Sequence, residues 1–313
     1  MAENRNAQQV REITDKLEQG LKELFESERF KEYLKTMSKF YNYSFNNTIL
    51  IAMQKPDATL IAGYTAWQRN FDRHVMKGEK GIKILAPAPY KVQEEREKLD
   101  PATQKPVLDK DGKPVTETVE VTRPAFKVVS VFDVSQTDGK ELPDIAVDEL
   151  TGSVENYAAF FDALKELSPV PIAFENITDG AKGYFSHVEN RIAIQEGMSE
   201  IQTIKTAIHE IAHAKLHAVT PGEKVAPEDK KDRRTKEVEA ESVAYTVCQR
   251  YGIKTSDYSF GYIAGWSSDK ETKELKGSLE TIRKTAAEMI TGIDEKLKER
   301  LAVKEQEAPS PLR

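Results

Sequence analysis

One stretch limits what this chain can build more than any other: Ile201-Gln-Thr-Ile-Lys-Thr-Ala-Ile-His-Glu-Ile-Ala-His-Ala-Lys-Leu-His217. Within it His209, Glu210 and His213 spell H-E-x-x-H. In a helix, residues four apart point within about 40° of one another, so both imidazoles leave one face. Two imidazoles one turn apart suit a tetrahedral zinc ion, and Glu210 beside them is placed as a general base. Ile201, Ile204, Ile208 and Ile211 recur at spacings of three and four, which predicts a helix with one buried face.

Two histidines leave a catalytic zinc site incomplete, because a third protein donor is needed with one position open to water. His217 lies four residues past His213, but three donors on one straight helix converge poorly; it reads as solvent-facing or as backing a ligand. The glycine-containing H-E-x-x-H-x-x-G-x-x-H arrangement is absent. His187 reads as a substrate-side or surface group. A following helix, expected at 235–251, offers Glu237, Glu239 and Glu241. Glu237 and Glu241 share a face, and Glu239 points roughly opposite. Glu237 is assigned as the ligand and Glu241 as the carboxylate that fixes a ligand histidine, with the exchange of the two left open. With zinc bound, Glu210 would take a proton from water and pass it to a leaving amine, the chemistry of a peptide hydrolase. Tyr184, on a strand just before the helix, is placed to orient an extended substrate.

The chain's 313 residues can bury two cores. No run of eighteen apolar residues and no apolar signal segment is present, so a membrane span and secretion are not expected. The single cysteine, Cys248, excludes an internal disulfide and fits a reducing cytoplasm, with its thiol in the core. Charge is uneven. Residues 27–89 hold ten Lys or Arg against five acids, a net of +5 that leaves −11 for the rest of a chain of formal charge −6. A basic segment within an acidic protein is the imbalance expected where one domain meets nucleic acid.

Periodicity predicts one charged helix over 8–36, then a short helix capped by Ser44 or Asn46 and ending at Gln54. A strand from Thr59 enters a helical turn with Trp67 and Phe71, and Gly78 and Gly81 mark a turn before strand 82–85. Residues 90–120 read as a solvated hairpin turning at Asp111-Gly112, followed by strand 126–134 and a linker to about 151. Beyond it come a helix at 153–167, a strand at 170–174, a hairpin turning at Glu189-Asn190 and the motif helix. A polar loop spans 220–234, and the aromatic run 257–266 packs over the site or the core. A closing helix carries Leu275 through Leu297. The expected fold class is α+β, with domains at 1–140 and 151–302 and a disordered tail at 303–313.

Ser-Phe-Asn-Asn-Thr-Ile-Leu-Ile, Tyr-Thr-Ala-Trp-Gln, Val-Met-Lys-Gly-Glu-Lys-Gly-Ile-Lys-Ile and Val-Phe-Asp-Val-Ser-Gln-Thr-Asp-Gly in the first half make the chain similar to the ArdC-type antirestriction family. In the second half the resemblance rests on Gly-Tyr-Phe-Ser, Asn-Arg-Ile-Ala-Ile, His-Glu-Ile-Ala-His and Lys-Glu-Val-Glu-Ala-Glu, which more loosely resemble the ImmA/IrrE metallopeptidases. The resemblance implies an N-terminal single-stranded-DNA-binding domain and a C-terminal zincin-like metallopeptidase domain, with Glu237 favoured as the zinc ligand. It further implies stacking on Tyr41, Tyr43 and Trp67, with Phe40 and Phe45 as further rings, amide contacts from Asn46 and Asn47, and a phosphate track of Arg69, Arg73, Lys77, Lys80 and Lys83. Its setting would be plasmid or conjugative transfer. Two other functions fit the same residues: a non-enzymatic single-strand-binding protein with structural zinc, or a peptidase cleaving a specific repressor.

Overall fold

The computed structural model describes residues 2–101, 103–142, 154–178, 180–218, 231–253, 258, 260–268 and 270–307. Its N-terminal half opens with three helices, α1 (Ala2–Glu23), α2 (Ser27–Lys39) and α3 (Phe45–Gln54). The single helix expected over 8–36 is thus two, broken at 24–26. The break lets both Phe25 and Phe30 reach the core, their rings 6.2 Å apart. Ser44 caps α3 by accepting from the Asn47 amide.

Strand β1 (Ile61–Gly63), helix α4 (Tyr64–Phe71) and strand β2 (Arg73–Val75) follow, then β3 (Ile82–Pro87), β4 (Tyr90–Glu97), β5 (Thr116–Arg123), β6 (Phe126–Asp133) and β7 (Thr137–Gly139). The antiparallel sheet β1-β6-β3 buries Ile61, Ile82, Ile84 and Val131 against Phe40, Ile51 and Ala58. β3 is an edge strand, and α3 closes that edge with amides. Asn47 exchanges two hydrogen bonds with the Leu85 backbone, and Gln54 does the same with Lys83, all at 2.9 Å. These four bonds satisfy backbone groups that a bare edge would leave open. The expected solvated hairpin is β4–β5, reversing through residues 109–113 with Gly112 at φ +76°.

The C-terminal half begins with α5 (Val154–Leu167), and its sheet is formed by β8 (Ile172–Glu175), β9 (Gly183–Ser186) and β10 (Arg191–Gln195), in the order β8-β10-β9. β9 and β10 turn through Asn190, at φ +51°. Then come α6 (Glu200–His217), α7 (Arg233–Arg250), α8 (Ile263–Ser267) and α9 (Thr272–Glu307). α6 buries Ile204, Ile208 and Ile211, but Ile201 is 47% exposed, so the apolar stripe starts one turn later than expected. α9 runs through Glu307, which makes 303–307 helical where a disordered tail was expected; 308–313 and the linker at 143–153 lie outside the described residues. Among the described residues the architecture is α+β, with a three-stranded sheet in each half, two further strand pairs (β2-β7 and β4-β5) in the first, and a long closing helix.

The helical core does not respect the linker. Phe25 meets Trp266 edge-on at 5.8 Å and Phe30 meets Phe260 at 5.2 Å, so α1 and α2 share one apolar cluster with α5 to α9. Cys248 lies in this cluster, fully buried. The aromatic run also has two destinations: Phe260 and Trp266 enter the core, while Tyr262 reaches the site described next.

Candidate metal centre and basic surface

Ser199 caps α6 and Asp232 caps α7, each accepting a backbone amide from three residues along, and the two helices lie side by side. Their facing side chains bring three donor atoms together. His209 Nε2 and His213 Nε2 stand 3.1 Å apart, and Glu237 Oε2 lies 3.7 and 3.6 Å from them. Zinc bonds of about 2.0–2.1 Å in a tetrahedron separate donors by about 3.3 Å, so the triangle has the size an ion requires. Among the described residues this is the one group of three His, Cys, Asp or Glu side chains arranged to hold a metal.

The charges favour occupancy. The His209 and His213 rings, with Nε2 at 3.7 and 3.6 Å from its Oε2, hold the Glu237 carboxyl well below the usual range. Burial works against the protonated His209 ring, but Glu237, Glu210 and Glu241 together raise its pKa. The carboxylates around His209 supply the negative charge that a cation would meet.

His217 is neither solvent-facing nor a third ligand. It is 5% exposed, with Nε2 at 3.0 Å from Glu239 Oε2 and Nδ1 at 3.0 Å from His213 Nδ1. Burial lowers the His217 pKa against the opposing pull of Glu239, which favours a neutral ring. An ionised carboxylate offers no proton, so the His217 Nε2 carries hydrogen and its Nδ1 accepts. His213 Nδ1 must then donate, which leaves its Nε2 lone pair facing the ion position. Glu239, expected to point away from the site, is fully buried and ends this relay by accepting two bonds of 2.8 Å from Lys231. Burial alone would raise its pKa, but the His217 and Lys231 bonds lower it. The sequence carried the signal as a third histidine at the same four-residue spacing and a carboxylate two residues past Glu237.

Glu210 is 7% exposed and projects beside the triangle. Burial raises its pKa against the pull of His209 and His213, and the Phe185 backbone N–H donates to it. That contact requires β9 to run close to α6, and Gly183 permits it. A Cβ there would stand 2.5 Å from Thr206 Cγ2 and 2.9 Å from the Ala193 carbonyl oxygen. Two cavities meet at Gly183, His209 and Glu210. One, of ≈ 350 Å³, is walled by Glu241, Lys205 and Tyr258; the other, of ≈ 530 Å³, by His213, Glu237, Tyr184 and His187.

Glu241 stands apart from the imidazole pair. Its Oε2 accepts from the Tyr262 hydroxyl and its pKa is raised by burial, so it does not fix a ligand histidine by hydrogen bond. Tyr184 lines the larger cavity, but its hydroxyl donates to Glu175 at 2.5 Å with Arg191 alongside, a bonding pattern that occupies the group expected to orient substrate. His187 lines the same cavity, its ring against Phe185.

In the N-terminal half, several residues expected at a nucleic-acid surface have structural work instead. Trp67 is fully buried and donates to the Phe132 carbonyl, so its ring is closed to a base. Asn47 is the edge clamp on β3. Arg73 spends its guanidinium on Thr137 and Lys140. Tyr41 is half-buried beneath the Arg250 guanidinium, 5.4 Å from its ring centre, and Tyr43 packs edge-on against the buried Phe40. Phe45 is half-buried against Tyr33. Asn46, Arg69, Lys77, Lys80 and Lys83 are exposed, and so is Tyr64, which sequence reasoning passed over. Tyr64 sits beside Phe132, at 6.1 Å. The turn bearing Lys77 and Lys80 is fixed from below. Gln136 donates to Glu79 and to the Lys80 carbonyl, the Met76 amide donates to the Gln136 carbonyl, and Gly78 takes φ +92°.

Comparison with known proteins adds to this geometry. The family model for the N-terminal domain of anti-restriction factor ArdC matches residues 4–132, and the model for the IrrE N-terminal-like domain matches residues 168–251. The uncharacterized protein pXO2-81 of Bacillus anthracis is 29% identical over 93% of this chain and 52% of its own length. DNA primase TraC of Escherichia coli is 34% identical over 44% of this chain and 12% of the primase. The chain therefore spans about half of the first relative and a small part of the second. Crystal structures of the antirestriction ArdC protein from the R388 plasmid are similar over 83% of this chain, covering 85% and 86% of that protein. The metal-free form gives a TM-score of 0.47 at 22% identity, and the Mn(II)-bound form 0.46 at 20%. Residues 4–132 are thus similar to the ArdC N-terminal domain, and the IrrE-like segment that follows them carries the His209, His213 and Glu237 triangle.

Proposed function

We propose that this protein binds single-stranded DNA through its N-terminal half and hydrolyses a peptide bond at a zinc centre in its C-terminal half. The observation that carries this reading is the donor triangle of His209, His213 and Glu237 with Glu210 beside it. Two imidazoles and a carboxylate suit zinc, and three protein donors leave a position open, whereas structural zinc sites close with four. A bound ion would supply Lewis acidity, polarising a carbonyl and bringing the pKa of water toward neutrality. The remaining work belongs to the chain. Glu210 receives the proton of the attacking water and delivers it to the departing amine, a task suited to a carboxyl whose pKa burial has raised. Its bond from Phe185 fixes the direction in which it does so. His217 and Glu239 keep His213 in the tautomer that ligation needs. β9 is an edge strand beside the centre, where an extended peptide can add as a further strand.

For DNA, the support is the ArdC domain match together with exposed Arg69, Lys77, Lys80 and Lys83 and the open ring of Tyr64. The names of the relatives point to antirestriction and to work on DNA, and the proposed setting is plasmid or conjugative transfer in a reducing cytoplasm, which a lone buried cysteine suits. No described helix is long and apolar enough to cross a membrane. The deciding experiment measures bound metal, oligo-dT affinity and cleavage of a peptide library in wild type and Glu210→Gln. The variant should keep both metal and DNA binding while cleavage falls about 10²–10⁴-fold. Undiminished cleavage would remove Glu210 as the base, and a metal-free wild type would remove the centre.

A further inference from the structure

The larger cavity beside the metal triangle has a wall whose charge the hydrolytic chemistry does not use. α7 opens Arg233-Arg234-Thr235-Lys236, with no acid in its first turn. Cations at that end of a helix oppose its dipole, so helix stability does not account for them. Arg234 is spent on the Tyr262 and Gly265 carbonyls. Arg233 and Lys236 both line the cavity and make no ion pair among the described residues, and His187 faces the same space. Were a divalent ion in place, the charges of Glu210 and Glu237 would balance it. Lys231 is already matched by Glu239. The positive charges of Arg233 and Lys236 are what the cavity keeps.

We propose that this wall is a substrate-selecting subsite for a carboxylate, so that the cleaved polypeptide carries Asp or Glu close to the scissile bond. Arg233 precedes Glu237 by one helical turn, which sets their Cβ atoms about 5–6 Å apart. An extended chain advances about 3.3–3.6 Å per residue, so a guanidinium on that stem meets a side chain within about two residues of the bond. A planar guanidinium also grips a carboxylate by two parallel hydrogen bonds. A nucleic-acid phosphate carries the same sign, but the wall borders the general base and the β9 edge, where a peptide backbone is seated. The proposal takes that backbone from the hydrolase reading, and the test separates the two.

Two measurements decide it, both on the zinc-loaded chain of residues 1–313. In the first, a mixed peptide library is digested and the cut sites are read by mass spectrometry. Wild type should enrich Asp and Glu within two positions of the cut, and Arg233→Glu/Lys236→Glu should reverse that preference toward Lys and Arg. In the second, Glu210→Gln binds a fluorescent acidic decapeptide and its Asn/Gln counterpart, followed by anisotropy. The acidic form should bind about tenfold tighter, and Arg233→Ala/Lys236→Ala should erase the difference. Equal affinity of the two peptides would overturn the subsite. Displacement of the acidic peptide by oligo-dT, abolished by the alanine pair, would overturn it in favour of a phosphate track. Charge-dependent binding without any cleavage would sustain the subsite and remove the hydrolase reading.

Discussion

Single residues at this centre act through what they hold. His217 supplies the acceptor that His213 Nδ1 needs and the donor that buried Glu239 accepts. His217→Ala should strand both partners, costing about 1–3 kcal/mol of stability and about 10–100-fold in metal affinity. His217→Gln, whose amide can accept from one partner and donate to the other, should recover most of that affinity by metal titration. Equal loss in both variants would mean the ring acts by volume and not as a relay. The relay was only half legible in the sequence. H-E-x-x-H and the glutamates of α7 announce donors by type and spacing. Which carboxylate reaches which ring depends on how α7 lies against α6, and periodicity within one helix does not encode that. Glu239 illustrates the point: it lies opposite Glu237 on a helical wheel, yet α7 is buried on so many sides that Glu239 still meets a partner.

At the scale of elements, the motifs quoted for the N-terminal half turn out to be largely architectural. The Val-Phe-Asp-Val-Ser-Gln segment ends β6 with Asp133 accepting the Thr59 and Leu60 amides, and places Gln136 under the basic turn. Asn47 and Trp67 likewise serve packing, because an amide or indole that can meet a base can equally satisfy backbone groups. What remains exposed is a rigid basic turn, so its charges should count nearly in full. If Arg69, Lys77, Lys80 and Lys83 each meet a phosphate, log Kd for oligo-dT should change with log salt at a slope of about 3, and Lys77→Glu/Lys80→Glu should lower that slope by about 1.4 or more. An unchanged slope would place the DNA path elsewhere. A pH effect belongs to the α7–α9 junction. The Tyr251 hydroxyl is buried and bonded to the Ile290 carbonyl and Asp294, and burial first, then Asp294, raise its pKa. The folded chain therefore holds this proton above the pH at which the unfolded chain releases it. The stability involved is fully present below about pH 10 and falls by up to about 1.4 kcal/mol per pH unit above it. Urea midpoints between pH 9 and 11 should decline less steeply in Tyr251→Phe than in wild type, and identical slopes would contradict the assignment.

For the whole molecule, the linker divides the sequence but not the core. Two domains were legible because composition changes near 140–151 and each half has its own strands. The sharing was not, since a helix that is amphipathic does not say which partner covers it. α1 and α2 cover Phe260 and Trp266 through Phe25 and Phe30, and Arg283 on α9 donates to the Tyr43 carbonyl. A fragment comprising 151–313 should therefore expose that apolar face, bind a hydrophobic dye and unfold without a cooperative transition, while the full chain unfolds cooperatively. A sharp transition in the fragment would show that the C-terminal half is self-sufficient. Whether one carboxylate of α7 completes a centre begun by two histidines of α6 is decided by zinc stoichiometry and affinity in Glu237→Gln and Glu241→Gln measured beside wild type. Wild type should bind one ion per chain, Glu241→Gln should match it within a few fold, and Glu237→Gln should lose the ion. Retention by Glu237→Gln with loss in Glu241→Gln would contradict the account.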